Sequence, residues 1–206
     1  TRMGHPHDPE THSHHNSVWI SHDSVDGASF WTDASGAGKI VHVRTLALED
    51  GDDSAAATVE LAWRTAQGKE ALREIRTMRV KCLPEREWLL VIDMELRAER
   101  DVTLGQTAFG PIGVRMAKTI GVNDGGGTIR NSAGGVNEAG VFRKPAAWVD
   151  YSGPIAPGKI EGAALFDHPG NPGHPACFHV RDDGWMGASL NLNAPRRRGK
   201  VREVDP

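Results

Sequence analysis

The chain has 206 residues, with 24 Lys and Arg against 27 Asp and Glu, and a formal net charge of −3 at pH 7. The near-balanced charge argues against a nucleic-acid partner, because nucleic-acid binding usually needs a basic patch. No apolar run reaches the ~18 residues that a membrane span needs, so we expect no membrane partner and favour a soluble, cytoplasmic protein. The length is enough for one sizeable core, which predicts a single domain over residues 1–206. The basic run Arg196–Arg198 is interpreted as a solvated tail.

The first half of the chain predicts a series of β-strands. Residues 39–49 are extended and partly alternating, and residues 58–64 alternate polar and apolar side chains with the period of two that a strand with one buried face shows. Residues 72–83 predict a long strand, or a short helix in their early part. Residues 88–99 place apolar and charged side chains on opposite faces. Turns predicted between these strands favour a meander.

The second half predicts shorter strands separated by long loops. From Gly105 onward Gly and Pro are frequent, and no long stretch has the 3.6-residue period of a helix. Short strands are expected around residues 114–116, 147–151, 163–166 and 185–190. The sequence therefore predicts an all-β fold in which long Gly- and Pro-rich loops carry the functional side chains.

Histidines occur in two groups at the two ends of the chain. Seven of the 10 fall within the first 42 positions, and the other three are His168, His174 and His179. Histidine has an unperturbed pKa near neutrality and is the commonest metal ligand. The early group includes His14, His15 and His22 and is followed by Trp31 and its apolar neighbours. We therefore expect one polar site formed by both ends, and the alternative is a polar, partly disordered N-terminus.

The middle loops combine amides, carboxylates and aromatic rings. Asn137 and Glu138 end a polar loop, and Trp148, Asp150 and Tyr151 follow ten residues later. In sugar sites, aromatic faces stack on the apolar C–H side of the ring while carboxylates and amides bind hydroxyls. The pattern therefore favours sugar binding, and the alternative is a strand end with core aromatics.

The late histidines lie in a loop that three prolines stiffen. Three neutral imidazoles could hold Zn²⁺, Fe²⁺ or Cu²⁺, and Asp167 or Asp182 could orient a ring through its second nitrogen. Alternatively, a histidine and a carboxylate could act as general acid and base without a metal. Structural hydrogen bonding is a third interpretation, and the sequence leaves all three open.

Five stretches together resemble a bacterial family of uncharacterised proteins labelled "methane oxygenase PmoA-like". They are residues 12–22, which begin His12-Ser13-His14-His15, and residues 27–31, 131–138, 147–153 and 166–182. The resemblance covers nearly the whole chain. It departs from the family at Asn16, where many relatives have a basic residue, and at Asp183, where an aromatic residue is frequent.

The resemblance implies a large antiparallel β-sandwich similar to galactose-mutarotase-like and polysaccharide-lyase supersandwiches. Such folds present a concave face that binds carbohydrate, and this is an analogy of fold. Family members are longer than this chain, so the chain is expected to be a fragment of a longer domain. A partial sandwich would expose an apolar sheet face and unpaired edges, which favours aggregation or a partner, for example a second copy of the chain in a homo-oligomer.

These observations predict a carbohydrate-active enzyme of epimerase, hydrolase or lyase type that uses acid–base chemistry in a polar pocket. His15 or His168 would transfer a proton, and Glu138 or Asp167 would take the complementary role. Arg181 would hold an anionic or hydroxyl group of the ligand. The further substrate-binding candidates are His14, His22, Trp31, Asn137, Trp148 and Asp150.

Two other functions fit the same residues. The first is a metal-dependent oxygenase or hydrolase with His168, His174 and His179 as ligands of Zn, Fe or Cu. The second is a sugar-binding module without catalysis. A chelator would inactivate the metal enzyme, whereas the binding module would show affinity without turnover.

Overall fold

The computed structural model describes residues 14–192, about half of which belong to β-strands. Predictions that involve His5, His7, His12 and the basic run Arg196–Arg198 lie outside the described residues. The strands are β1 (Val18–Ile20), β2 (Lys39–Asp50), β3 (Ser54–Arg64), β4 (Glu70–Cys82), β5 (Trp88–Arg97), β6 (Ile112–Arg115), β7 (Thr128–Asn131), β8 (Lys144–Pro145), β9 (Trp148–Ala156), β10 (Lys159–Phe166), β11 (Cys177–Arg181) and β12 (Trp185–Ser189). The helices are α1 (Val122–Gly125) and α2 (Asn137–Val141), with 3-10 turns at Pro84–Arg86 and Lys118–Ile120. The all-β prediction is confirmed.

The chain divides into two compact units. Within the described residues, the sandwich unit contains residues 14–24, 31–33 and 105–192, and the meander unit contains residues 25–30 and 34–104. The single domain expected over residues 1–206 stays a prediction. None of the helices within residues 14–192 is long and apolar enough to cross a membrane.

The meander unit is one four-stranded antiparallel sheet in the order β2-β3-β4-β5. The predicted meander is therefore confirmed. The alternative of an early helix in residues 72–83 is wrong, because β3 and β5 pair with β4 on both sides and satisfy its backbone groups.

The two faces of the meander sheet differ in chemistry. On one face, Trp63 and Leu72 pack with Val25, Phe30 and Val102 in a buried cluster. On the other, Glu60 of β3 accepts from Arg44 of β2 and from Arg73 of β4, each at 2.5 Å. This alternation is what the period of two in the sequence predicted.

Part of the apolar face of the meander sheet is accessible to solvent. Leu48 is 76% exposed and Trp88 is 63% exposed. Cys82 pairs with Trp88 across β4 and β5 and is an exposed free thiol, although a cysteine in an apolar stretch is expected to be buried. Cys82 is the last residue of β4 and Trp88 the first of β5, so both lie at the end of the sheet, where side chains are accessible to solvent. The homo-oligomer stays a prediction.

The sandwich unit contains two antiparallel sheets that share one core. The first has five strands in the order β1-β6-β12-β11-β8, and the second has three in the order β10-β9-β7. The shared core joins side chains of the three-stranded sheet to side chains of the five-stranded sheet, namely Ile129, Val149 and Tyr151 with Phe178, Val180 and Met186. The unit thus has the layering of a β-sandwich. The likeness to galactose-mutarotase-like supersandwiches stays a prediction.

Alternation along the five-stranded sheet gives it two unlike faces. The row Val114, Met186 and Val180 points into the core. The next row, Arg115, Trp185 and Arg181, therefore points to the opposite side. We name this opposite side the polar face. His179 and Arg181, which the sequence singled out, lie on this face.

Candidate functional site

One row of the polar face is built around two glycines. Trp19 pairs with Gly113, Gly113 with Gly187, and Gly187 with His179. A Cβ at Gly113 would lie 2.3 Å from the Trp19 ring, and one at Gly187 would lie 2.6 Å from the Trp185 ring. The absence of both side chains therefore lets two indoles lie against the sheet.

Early and late segments of the chain meet on this row. The rings of His15 and Trp19 stack with centroids 4.5 Å apart, and Trp31 lies 5.4 Å from His15. Trp185 lies 6.3 Å from His15 and 4.5 Å from His179. The structure thus brings together His15, Trp31 and His179, which the sequence placed in one site.

His179 is a neutral imidazole in an aromatic environment. It is 3% exposed, and burial lowers its pKa to about 4, with the nearby charges of Arg181 and Arg143 acting in the same direction. Its Nδ1 has no hydrogen-bond partner among the described residues. Its bond to the carbonyl of Ala108 therefore belongs to Nε2, and Nδ1 is left as an acceptor.

Glu138 and Arg181 pair with each other at the end of β11. The guanidinium of Arg181 donates to the carboxylate of Glu138 and lies 4.9 Å above the Phe142 ring. The backbone N–H of Glu138 donates to Asp182 at 2.9 Å, and that of Asp182 donates to Glu138 at 3.2 Å. The predicted carboxylate and the predicted anion-binding group thus lie together, and each satisfies the other.

Three further candidates make contacts that hold the local backbone or a neighbouring side chain. His22 donates from Nε2 to the carbonyl of Gly105 at 3.1 Å, and burial lowers its pKa. Asn137 accepts from the backbone N–H of Ile129 at 3.0 Å. His14 lies 3.2 Å from the carboxylate of Asp33 and next to His15.

Asp167 organises the late loop. Its side chain is 1% exposed and accepts three hydrogen bonds. They come from Nδ1 of His174 at 2.7 Å, from the side-chain amide of Asn171 at 2.8 Å and from the backbone N–H of Ala176 at 2.8 Å. A buried carboxylate needs such partners, so the loop closes around Asp167.

The predicted metal triad is not found in the described part of the chain. No three His, Cys, Asp or Glu side chains within residues 14–192 form a group that could hold a metal ion. The three late histidines use ring nitrogens for different neighbours: His168 accepts from Gly170, His174 contacts Asp167, and His179 bonds Ala108. The three late histidines therefore do not converge within residues 14–192, and the metal-dependent alternative stays a prediction.

Trp148 and Asp150 lie on the outward face of the three-stranded sheet. Trp148 pairs with Phe166, and Asp150 lies between Ala164 and Arg130. Phe166 is 65% exposed. Tyr151 points inward and is fully buried, so the alternative of a core aromatic is correct for Tyr151 but not for Trp148.

Sequence reasoning missed Trp19, Trp185 and Arg115 of the polar face and Phe166 of the three-stranded sheet. It also missed Phe109, whose ring centroid lies 5.1 Å from that of His179. The sequence does contain a signal for Trp185, because Trp185 and Gly187 alternate with Met186 and Ala188 along β12. That period of two predicts a second face opposite the core.

Comparison with known proteins identifies the family. No curated protein and no solved structure matches the chain. One family model matches residues 1–202 and is described as a family of unknown function. Membership of an uncharacterised family is thereby confirmed, whereas the PmoA-like label stays a prediction. The chain belongs to the family of unknown function DUF6807.

Proposed function

We propose that the protein is a carbohydrate-active enzyme of epimerase, hydrolase or lyase type that uses a histidine and a carboxylate as acid and base. The observation that carries the proposal is the side-by-side pair of Trp148 and Phe166 at the end of β10, directly before Asp167. An accessible aromatic surface and a loop with titratable groups are thus adjacent in the chain.

The aromatic pair suits the apolar face of a sugar ring. Phe166 is 65% exposed although it is a large apolar side chain, and exposed apolar patches commonly mark binding sites. Asp150 lies two residues from Trp148 on the same face. Its carboxylate accepts from Ser152 at 2.8 Å, and it has further lone pairs for the hydroxyls of a ligand.

The loop after Phe166 supplies groups for acid–base chemistry. It contains two histidines and a buried carboxylate within residues 167–174. Groups of this kind in unlike environments separate the roles of acid and base. The proposed acid–base chemistry uses no metal, so turnover should persist in the presence of a chelator.

The binding step is tested with a panel of neutral and acidic mono- and oligosaccharides, by glycan array and then by calorimetry. Phe166→Ala should abolish or strongly weaken binding. Ile160→Ala is the matched control, because Ile160 lies on the same strand, is 75% exposed and is six residues away. Absence of binding by the wild-type protein across the panel would overturn the proposal.

Each sugar that binds is then incubated with the protein, and the products are followed by NMR and mass spectrometry. A new product, formed equally with and without a chelator, supports the enzyme. Binding without turnover across the pH range would favour the sugar-binding module, for which the regular strand pairing beneath Trp148 and Phe166 also provides a surface.

A further inference from the structure

We infer that His174, oriented by Asp167, is the proton acceptor of the late loop. The inference rests on the proposed function, because it names the group that moves the proton in that chemistry. It differs from the roles that the sequence predicts. In the acid–base enzyme, His15 or His168 transfers the proton, and His174 is a ligand only in the metal-dependent alternative.

The contacts of Asp167 fix which nitrogen of His174 carries the hydrogen. Asn171 and Ala176 can only donate to the carboxylate through their N–H groups, at 2.8 Å each. A carboxylate oxygen accepts, so the hydrogen in the 2.7 Å contact with His174 lies on Nδ1. Neutral His174 is therefore the Nδ1–H tautomer, and its lone pair lies on Nε2.

The lone pair of Nε2 is accessible. The side chain of His174 is 25% exposed, and no residue of the described chain bonds its Nε2. When a substrate O–H or C–H gives its proton to Nε2, the positive charge that forms on the ring faces the carboxylate of Asp167. A charge-assisted hydrogen bond then stabilises the imidazolium, and the proton returns to product or solvent from the same atom.

The loop holds this pair in place. Gly173, the residue before His174, has φ +81, and a Cβ there would lie 2.3 Å from the carbonyl oxygen of Leu190. A side chain at Gly173 would therefore both strain the backbone and clash with Leu190. Pro172 and Pro175 flank the two residues and restrict the backbone further. An orienting carboxylate and a restricted backbone are what a general base requires.

His168 provides an internal contrast in the same loop. It is exposed, and its Nδ1 accepts from the backbone N–H of Gly170 at 3.0 Å. Its hydrogen in the neutral form therefore lies on Nε2, so its outward nitrogen is a donor. The two histidines thus have opposite tautomers six residues apart.

Nitrogen NMR of the histidine rings in the wild-type protein tests the assignment directly. We expect Nδ1–H for His174 and Nε2–H for His168, and Asp167→Asn should abolish the preference of His174. The Nε2–H tautomer for His174 in the wild-type protein would overturn the inference, whatever the sugar screen finds.

The rate of chemical modification of each histidine gives a second test, because a purely structural role of His174 would not make its ring more reactive than that of His168. Diethyl pyrocarbonate is attacked at a carbonyl carbon by an unprotonated ring nitrogen, which forms an N–C bond and expels ethyl carbonate. Peptide mapping should find His174 modified several-fold faster than His168, and the difference should vanish in Asp167→Asn. Equal rates in the wild-type protein would contradict the inference.

Kinetics on a sugar found by the screen complete the test. His174→Gln should lower kcat by about 10²–10⁴-fold with little change in KM, whereas His42→Gln in the meander unit should leave both unchanged. Turnover that survives in His174→Gln would overturn the inference while the proposed function stands.

If no sugar is bound, the proposed function fails, and the NMR result alone decides whether His174 is the acceptor. Should Asp167→Asn fail to fold, the wild-type tautomers and His174→Gln still decide.

Discussion

The sandwich unit contains two histidine regions that differ in how their surroundings control the ring. On the polar face, burial among Phe109, Phe142 and Trp185 determines the charge of His179 and keeps it neutral. In the late loop, the hydrogen bond that Nδ1 of His174 donates to Asp167 determines the tautomer of His174. Desolvation thus controls the charge of a histidine, whereas a specific partner controls where its proton lies.

The largest effect on stability is expected at Asp167, whose carboxylate accepts the hydrogen bond from His174. Asp167→Ala removes the acceptor of three hydrogen bonds and leaves their donors in a closed loop. The free energy of unfolding should fall by about 3–5 kcal/mol, measured by urea denaturation. A loss below about 1 kcal/mol would mean that Asp167 orients His174 without holding the loop.

The next effect is the pH dependence of stability caused by His179. Its pKa is about 4 in the folded protein against an ordinary value of 6.5, so the unfolded chain binds the proton more readily. The stabilisation that neutral, buried His179 contributes to the folded protein is fully present above pH 6.5 and is lost as the pH falls to 4. The loss amounts to about 3 kcal/mol.

His179→Phe tests that dependence, because phenylalanine fits an aromatic environment and cannot be protonated. The free energy of unfolding, measured by denaturation at several pH values between 7 and 4, should change less with pH in the variant than in the wild-type protein. His42→Gln, at an exposed position, is the control and should leave the slope unchanged. An identical slope in His179→Phe would show that His179 is accessible to protons when folded.

A smaller effect is expected at Gly113 on the polar face. Gly113→Ala would place a methyl group 2.3 Å from the Trp19 ring and should cost about 1–3 kcal/mol through overpacking. The control is Gly51→Ala, whose nearest neighbour would lie at an ordinary 3.4 Å. Equal stability of the two variants would mean that the Trp19 ring moves without cost.

The smallest effect on stability is expected at Phe166, because its side chain lies at the surface. Phe166 is 65% exposed, so Phe166→Ala should change the free energy of unfolding by less than about 0.5 kcal/mol. The same substitution should remove sugar binding. A loss of several kcal/mol would show that Phe166 has a role in packing.

The sequence predicted the longer strands because one of their faces meets water. In β5, apolar Leu90, Ile92 and Met94 alternate with charged Asp93 and Glu95, so the period of two is readable. Four of the five residues of β11 are buried, on both faces of its sheet, and the alternation disappears. The short strands β1 and β7 were missed because they offer too few residues for a period.

The histidine clusters predicted which parts of the chain meet, but not what each ring does. His15 and His179 do lie close to the same indole. The spacing offers His179 as a possible metal ligand, because a sequence does not reveal that a polar residue is buried. The contact of Asp167 with His174 depends on how the 167–176 loop closes, and residue spacing alone does not specify that closure.

The triangle of indoles on the polar face has a spectroscopic consequence. The ring centroids of Trp19, Trp31 and Trp185 lie 5.7, 6.0 and 6.1 Å from one another. Electronic transitions of chromophores at such separations couple, which produces paired bands of opposite sign in circular dichroism. The protein therefore carries a native optical reporter of its polar face, and no label is needed to follow whether a ligand or an acidic solution disturbs that packing.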